Sequence, residues 1–305
     1  MSSSVVSKLV DLIRSTSSSL PEDVLKALKA AMRKERKGSS AAVVLKTILD
    51  NCAIAAKRGT PLCQDTGTLT FFVDERLRRT VTPAVLKKAV AIATERGYLR
   101  KNTIDAVTGR SYDDNCAEGA PVVHYGVSAR GSRGSRDSRP TVTLIMKGGG
   151  SENMSRQYSL PDAALGAGRD LEGVRKCVLD AVQKIQGYGC APGILGVSIG
   201  GDRATGFEVA KEQLLRPLDE NRLQSTAVDS DRQLSERKIG QTEIVKLEKR
   251  LLKEANALGI GPMGLGGKTT LLGVKIAART RVPASFFVTV AYMCWACRRK
   301  TVEIR

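Results

Sequence analysis

A mixed α/β (α+β) fold, with small mixed sheets flanked by helices behind a helical N-terminal lead-in, is what the sequence predicts. Three observations carry this. Residues 1–58 show helical periodicity with start and stop signals, so they read as a lead-in of helices. Short β-branched or aromatic runs follow, among them Thr68–Val73 and Ile194–Ile199, separated by helical stretches and by polar turns. With 305 residues, 42% of them hydrophobic, the chain can bury a proper core. We read it as a single domain, residues 1–305, carrying a basic inserted loop at 128–140.

Taken in order, Val5 to Ile13 reads as a short helix. Pro21-Glu22-Asp23 starts a second, with proline and acids in the first turn. Its apolar face is Val24, Leu25, Leu28 and Met32. Ser39-Ser40 caps a third, which runs to about Arg58 and stops at Gly59. A strand over Thr68–Val73 follows, then a helix from Pro83 to Gly97, then a polar, turn-rich stretch to about Gly119. Pro121–Val127 and Thr141–Met146 read as strands joined by an arginine-rich loop. Leu171–Ile185 is a helix with Cys177 on its apolar side, and Ile194–Ile199 is a strand. Helices over Ala204–Leu215 and Leu234–Ala257 flank an exposed stretch, about Glu220 to Arg232. Strands at Leu271–Ile276 and leading into Cys294 close the chain, before a short strand-like tail.

The net charge of +18 admits either nucleic acid or an anionic small substrate. Part of it sits in Ser128–Pro140, a Gly/Ser/Arg segment with Arg130, Arg133, Arg136 and Arg139. That segment reads as a solvated loop tip; it is short and lacks an aromatic residue, which weighs against RNA. No run of about 18 apolar residues is present, so no membrane partner is expected. The Ser-rich start lacks a secretory apolar core, and the helical pattern around Asp11 argues against a transit peptide. Seven cysteines fit a reducing compartment, and we expect a cytoplasmic protein.

The chemistry centres on Pro61-Leu62-Cys63-Gln64-Asp65-Thr66-Gly67, where a thiol, an amide and a carboxylate are consecutive beside a strand. Lys147-Gly148-Gly149-Gly150-Ser151-Glu152-Asn153 lets backbone approach a ligand, or is simply a flexible turn. Gly259 to Thr270 tempts a phosphate-loop reading, yet Gly267-Lys268-Thr269 would need glycine where Pro262 stands. That stretch also follows a helix and precedes a strand, the reverse of a phosphate loop; a lysine facing a small anion stays open. Cys294 and Cys297 form a C-x-x-C pair, but zinc would want a second pair and the lone His124 does not supply it. Cys63, Cys190 and Cys294 each lie in a loop next to a strand, 127 and 104 residues apart. Three scattered cysteines suit an iron–sulfur cluster assembled by tertiary structure.

With these residues in place, the chain resembles class I (iron–sulfur) fumarate hydratase, in its N-terminal domain or α subunit. The matching stretches are Cys63–Gly67, Lys147–Asn153, Gly259–Thr270 and Pro283–Arg299. The L(+)-tartrate dehydratase α subunit is the near alternative. The resemblance implies that Cys63, Cys190 and Cys294 ligate a 4Fe–4S cluster, and that Cys52, Cys116, Cys177 and Cys297 do not. It also implies that Gln64 and Asp65 contact substrate, that Arg100 pairs with a substrate carboxylate and that Gly149 offers backbone contact. The implied reaction is reversible hydration of fumarate to (S)-malate. The base that takes the carbon-bound proton is expected in a second domain, hence on a separate β subunit. Asp113–Ala120, the arginine loop and the Glu220–Arg232 region depart from the family pattern. The rival from another class is a basic nucleic-acid-binding protein, with or without zinc.

Overall fold

The computed structural model describes residues 2–126, 139–220 and 231–304, and side chains over the same residues apart from 2, 3 and 231–239. The arginine-rich residues 127–138 and the stretch 221–230 lie outside the described residues. The chain forms two compact units. The first comprises Met1–Glu22, Ile48–Gly149 and Ala296–Arg305, the second Asp23–Thr47 and Gly150–Trp295.

The lead-in is helical as expected. Helix α1 (Ser2–Ser18) outruns the Val5–Ile13 reading. Thr16 bonds its hydroxyl back to the Leu12 carbonyl, and Ser17 and Ser18 bond theirs to Arg14. Hydroxyl side chains that would favour a loop therefore complete the last turn. Helix α2 (Glu22–Lys34) opens behind Pro21. Helix α3 (Ser40–Arg58) starts where the Ser39 hydroxyl accepts the Ala42 N–H (3.3 Å) and stops at Gly59 with φ +66°. Strand β1 (Thr68–Val73) matches its sequence run. Helix α4 (Pro83–Glu95) is capped by Thr82. The polar stretch after it holds a two-residue ribbon, β2 (Thr103–Ile104) with β3 (Ser111–Tyr112).

Strands β4 (Val122–Tyr125) and β5 (Thr141–Lys147) do not pair with each other. Strand β1 lies between them, parallel to β4 and antiparallel to β5. The last strand of the chain completes this sheet beyond β5, and its order is named below. One face carries Leu69, Phe71, Val73, Val142, Leu144 and Met146 against Leu9 and Ile13 of α1 and Leu86 and Val90 of α4. Each such large side chain, fully buried, contributes about 1.5–3 kcal/mol.

In the second unit the glycine-rich stretch forms a short helix, α5 (Gly149–Asn153), in place of a turn. Strand β6 (Arg156–Ser159) lies outside the sequence reading; Arg-Gln-Tyr-Ser lacks an apolar run because it is a half-buried edge strand. Helix α6 (Leu171–Ile185) is capped by Asp170, strand β7 (Gly193–Ile199) is wholly buried, and helix α7 (Arg203–Gln213) opens in an Asp202–Thr205 capping box. Helix α8 (Asp231–Ala257) and strands β8 (Leu271–Ala278), β9 (Phe287–Met293) and β10 (Arg298–Glu303) complete the chain.

The sheet orders are β10-β5-β1-β4 in the first unit and β6-β9-β7-β8 in the second. In the second sheet β7 and β8 are parallel and the other pairs antiparallel, so both sheets are mixed. Val174, Val178 and Val182 of α6 and Leu247 and Leu251 of α8 pack on Leu195, Val197, Ile276, Val290 and Tyr292. Glu248 of α8, 7% exposed, accepts the Ile276 N–H at 2.6 Å and faces the Arg216 guanidinium at 3.4 Å. Burial pushes the Glu248 carboxyl above its ordinary value, against the pull of the Ile276 amide and the Arg216 charge. Among the described residues no helix is long and apolar enough to cross a membrane.

Candidate functional site

In the first unit the Cys63 loop and the end of β5 meet backbone to backbone. Gly67 has φ +72°, and a Cβ there would run into the Lys147 carbonyl. A Cβ on Gly148 would lie 2.7 Å from Asp65 Oδ2. Two glycines that the sequence places 81 residues apart thus each face the other's segment. The approach lets the Gly149 N–H donate to Asp65 Oδ2 at 2.8 Å, while the Asn102 amide donates to Oδ1 at 3.0 Å. Both carboxylate oxygens of Asp65 are therefore oriented by fixed donors. Upstream, the Leu62 N–H donates to the Ser17 carbonyl (3.0 Å) and the Asn51 amide to the Leu62 carbonyl (2.9 Å), which pins the residue before the half-buried Cys63.

Arg100 is exposed, and its Nη1 donates to the Gln64 carbonyl at 3.1 Å. Its backbone is clamped to Thr66: the Arg100 N–H donates to the Thr66 hydroxyl, which donates to the Arg100 carbonyl, both at 2.9 Å. Gln64, Asp65, Arg100 and Gly149, the four predicted substrate-facing residues, are thus brought together. Asn102 and Asn115 are the residues that sequence reasoning missed. Asn115 is 1% exposed, with φ 59°. Its Oδ1 accepts the N–H groups of Asn102 (2.9 Å) and Thr103 (3.1 Å), and its Nδ2 donates to the Arg100 carbonyl (2.9 Å). It is the hub that shapes the Arg100–Thr103 loop. The one available signal was an asparagine in a turn-rich run, a type that tolerates left-handed backbone.

In the second unit Cys190 and Cys294 come together. The Trp295 N–H donates to the Cys190 carbonyl at 3.3 Å, and the Cys294 N–H donates to the Ser151 hydroxyl at 3.2 Å. Cys190 is exposed, with φ 53°; Cys294 is half-buried. Tyr292 of β9, two residues before Cys294, has both thiols among the groups that act on it electrostatically. Burial, with those thiols next to it, holds its phenol well above the usual range and so protonated.

The Gly259–Thr270 stretch braces the Cys190 loop. The Met263 N–H donates to the Ala191 carbonyl at 2.9 Å, and a Cβ on Gly187 would lie 2.8 Å from the Met263 carbonyl oxygen. The anion that meets this loop belongs to the chain itself: both Glu35 carboxylate oxygens accept the Lys268 N–H, at 2.8 and 3.0 Å. The glycines therefore serve close packing and an internal carboxylate.

No disulfide joins the cysteines, and among the described residues no group of three or more His, Cys, Asp or Glu side chains forms a metal-binding set. Cys63 belongs to the first unit, Cys190 and Cys294 to the second. Cys52, Cys177 and Cys297 are buried. Burial pushes the Cys52 and Cys116 thiols up to about 11 and the Cys177 thiol up to about 12, which disfavours the thiolate a metal needs.

Residues 6–303 match the family model for fumarate hydratase (Fumerase). The chain is 44% identical over 301 residues to a Geobacillus stearothermophilus protein named for fumarate hydratase class I, covering 97% of this chain and 54% of that one. It therefore spans about half the length of that relative. A Methanocaldococcus jannaschii protein named for L(+)-tartrate dehydratase subunit alpha is 32% identical over 302 residues, 97% of this chain and 96% of the relative. The Escherichia coli K12 L(+)-tartrate dehydratase subunit alpha is 28% identical over 306 residues, 98% and 91% of the two chains. The chain belongs to the fumarate hydratase (Fumerase) family.

Proposed function

We propose that this chain is the α part of an iron–sulfur hydro-lyase that reversibly hydrates fumarate to (S)-malate, with Cys63, Cys190 and Cys294 holding a 4Fe–4S cluster. The observation that carries the reading is the Asp65 cradle, in which the residue two positions after Cys63 is fixed by Gly149 and Asn102 beside the Arg100 fork. The donor set suits the cluster. The three thiols are exposed or half-buried in strand-flanking loops; of the other four, Cys52, Cys177 and Cys297 are buried, and Cys116 is half-buried with its thiol pushed up to about 11. Beside Cys190 and Cys294, moreover, the Tyr292 hydroxyl is buried without a hydrogen-bond partner among the described residues.

When bound, a cluster with three protein thiolates supplies Lewis-acid chemistry toward a hydroxyl or carboxylate oxygen through the iron that lacks a protein ligand. The chain's own residues bind and orient. Arg100 offers the remaining N–H groups of its planar fork to one substrate carboxylate, while its bond to the Gln64 carbonyl fixes where the fork sits. The exposed Gln64 amide supplies a donor and an acceptor for a second oxygen. Asp65, aimed by two donors, is placed to accept a proton from a substrate hydroxyl or from water. Gly149 acts mainly through Asp65, and contacts substrate only by exchanging that bond. The base for the carbon-bound proton lies on a separate β subunit, a reading supported by the relatives named as alpha subunits. We place the chain in the cytoplasm, a reading supported by seven cysteines in a 305-residue sequence, a usage that fits a reducing compartment.

A second reading, dehydration of L(+)-tartrate, is favoured by one observation: the relatives that the chain spans almost completely carry that name. Anaerobic assays of the cluster-loaded chain, alone and with its β subunit, decide between them. The expected result is fumarate and malate turnover with β present and none without it. Turnover of tartrate but not malate would establish the second reading, and full activity of the α chain alone would overturn the two-subunit proposal.

A further inference from the structure

Tyr292 is 1% exposed, and its hydroxyl has no hydrogen-bond partner among the described residues. A buried hydroxyl left this way carries an uncompensated desolvation cost, and phenylalanine would fill the same space without it. The ring has no room to turn toward another partner, because Gly189 and Gly193 press on its two edges: a Cβ on Gly189 would run into Cε1 and one on Gly193 into Cε2 and the hydroxyl oxygen. These glycines bracket Cys190, and Cys294 lies two residues beyond Tyr292, just past the end of β9. The hydroxyl is thus held against the Cys190 loop, with the two thiols that the cluster reading assigns as ligands acting on it electrostatically and no hydrogen-bond partner among the described residues.

We infer that the Tyr292 hydroxyl donates a hydrogen bond to a sulfur of the iron–sulfur group held by Cys190 and Cys294, and thereby raises the reduction potential of that group. The inference rests on the cluster reading proposed above. An O–H donor withdraws electron density from a thiolate or sulfide sulfur and so favours the more negative, reduced form. Tyr292 is in this sense a positioning residue: it touches the sulfur side of the site and no substrate atom.

The test uses the full chain loaded anaerobically with iron and sulfide, as the parent, as Tyr292→Phe, and with 2-fluorotyrosine placed at position 292 alone. The 2-fluoro ring keeps the hydroxyl, strengthens it as a donor and puts fluorine away from the clamped Cε atoms. Iron per chain is counted, and the potential is read by spectroscopically monitored redox titration. The expected result is parental iron content in both variants, a potential moved negative in Tyr292→Phe and positive with 2-fluorotyrosine. If the phenylalanine variant does not fold or load, the fluorotyrosine chain decides by itself. A loaded fluorotyrosine chain at the parental potential, or a loaded phenylalanine chain at the parental potential, would overturn the inference. A parent chain that takes up no iron would overturn the cluster reading itself, and this inference with it.

Discussion

Asp65 is held by a backbone amide 84 residues away and by Asn102, and Asn102 is in turn placed by the buried Asn115. The Cys63-Gln64-Asp65 triplet is legible in the sequence because reactive residue types sit side by side in a turn before a strand. Asn115 is not legible in that way. Its importance comes from a left-handed backbone and from partners 12 to 21 residues distant, Thr103 and Thr94 at the extremes, which no local pattern records. Asp65→Asn keeps the size of the side chain and removes its capacity as a proton acceptor. We expect kcat/KM of the α–β complex to fall by about 10²–10⁴-fold, the usual worth of a positioned acid or base. The melting temperature should stay close to parental, because the exposed cradle holds little of the core. Unchanged kcat/KM would remove Asp65 from the chemistry.

Elements are where reading and structure diverge most instructively. The strand Thr68–Val73 and the helix Leu171–Ile185 follow directly from apolar patterning. Strand β6 and helix α5 do not, since an edge strand and a one-turn helix need no apolar run. The glycine stretches carried an ambiguous signal, as anion cradle or flexible turn. At Gly67 and Gly148 the physical reason is close backbone approach. Gly67→Ala would combine a left-handed residue with a clash against the Lys147 carbonyl, so we expect a loss of at least about 2 kcal/mol in urea unfolding. A parental midpoint would show that the two segments are not in contact. A second prediction concerns α8. Burial raises the Glu248 carboxyl, so its contribution to stability is full below the ordinary value of 4.5 and is lost as pH rises through the raised folded value. Glu248→Gln keeps the acceptor for the Ile276 N–H and cannot ionise. Relative to the parent it should therefore gain stability as pH rises from about 4.5. A stability difference that is flat with pH would mean that Glu248 titrates normally.

For the whole molecule, composition pointed two ways: a net charge of +18 is compatible with a nucleic acid or a small anion. Family membership and the Asp65 cradle favour the small anion. On the proposed function the arginine segment should be expendable for catalysis. At its described end, Arg139 makes an exposed ion pair with Glu303 at 3.1 Å, worth at most about 1 kcal/mol. Removing Arg130 to Arg139 should leave hydratase activity of the α–β complex within about twofold, and activity lost with the loop would tie it to substrate or partner binding. The mixed α/β class was legible because the central strands of both sheets, β1 and β5 in one and β7 and β9 in the other, are runs with clear strand character. The division into two compact units was not, because each unit is assembled from segments that return from distant parts of the chain. The central claim is that Cys63, Cys190 and Cys294 hold an iron–sulfur cluster, and its most direct test is iron counting after anaerobic reconstitution with iron and sulfide. The account predicts about four irons per chain, as a 4Fe–4S cluster requires, lost on Cys63→Ser, Cys190→Ser or Cys294→Ser and kept on Cys297→Ser. No iron uptake by the parent, or zinc held through Cys294 and Cys297, would contradict it.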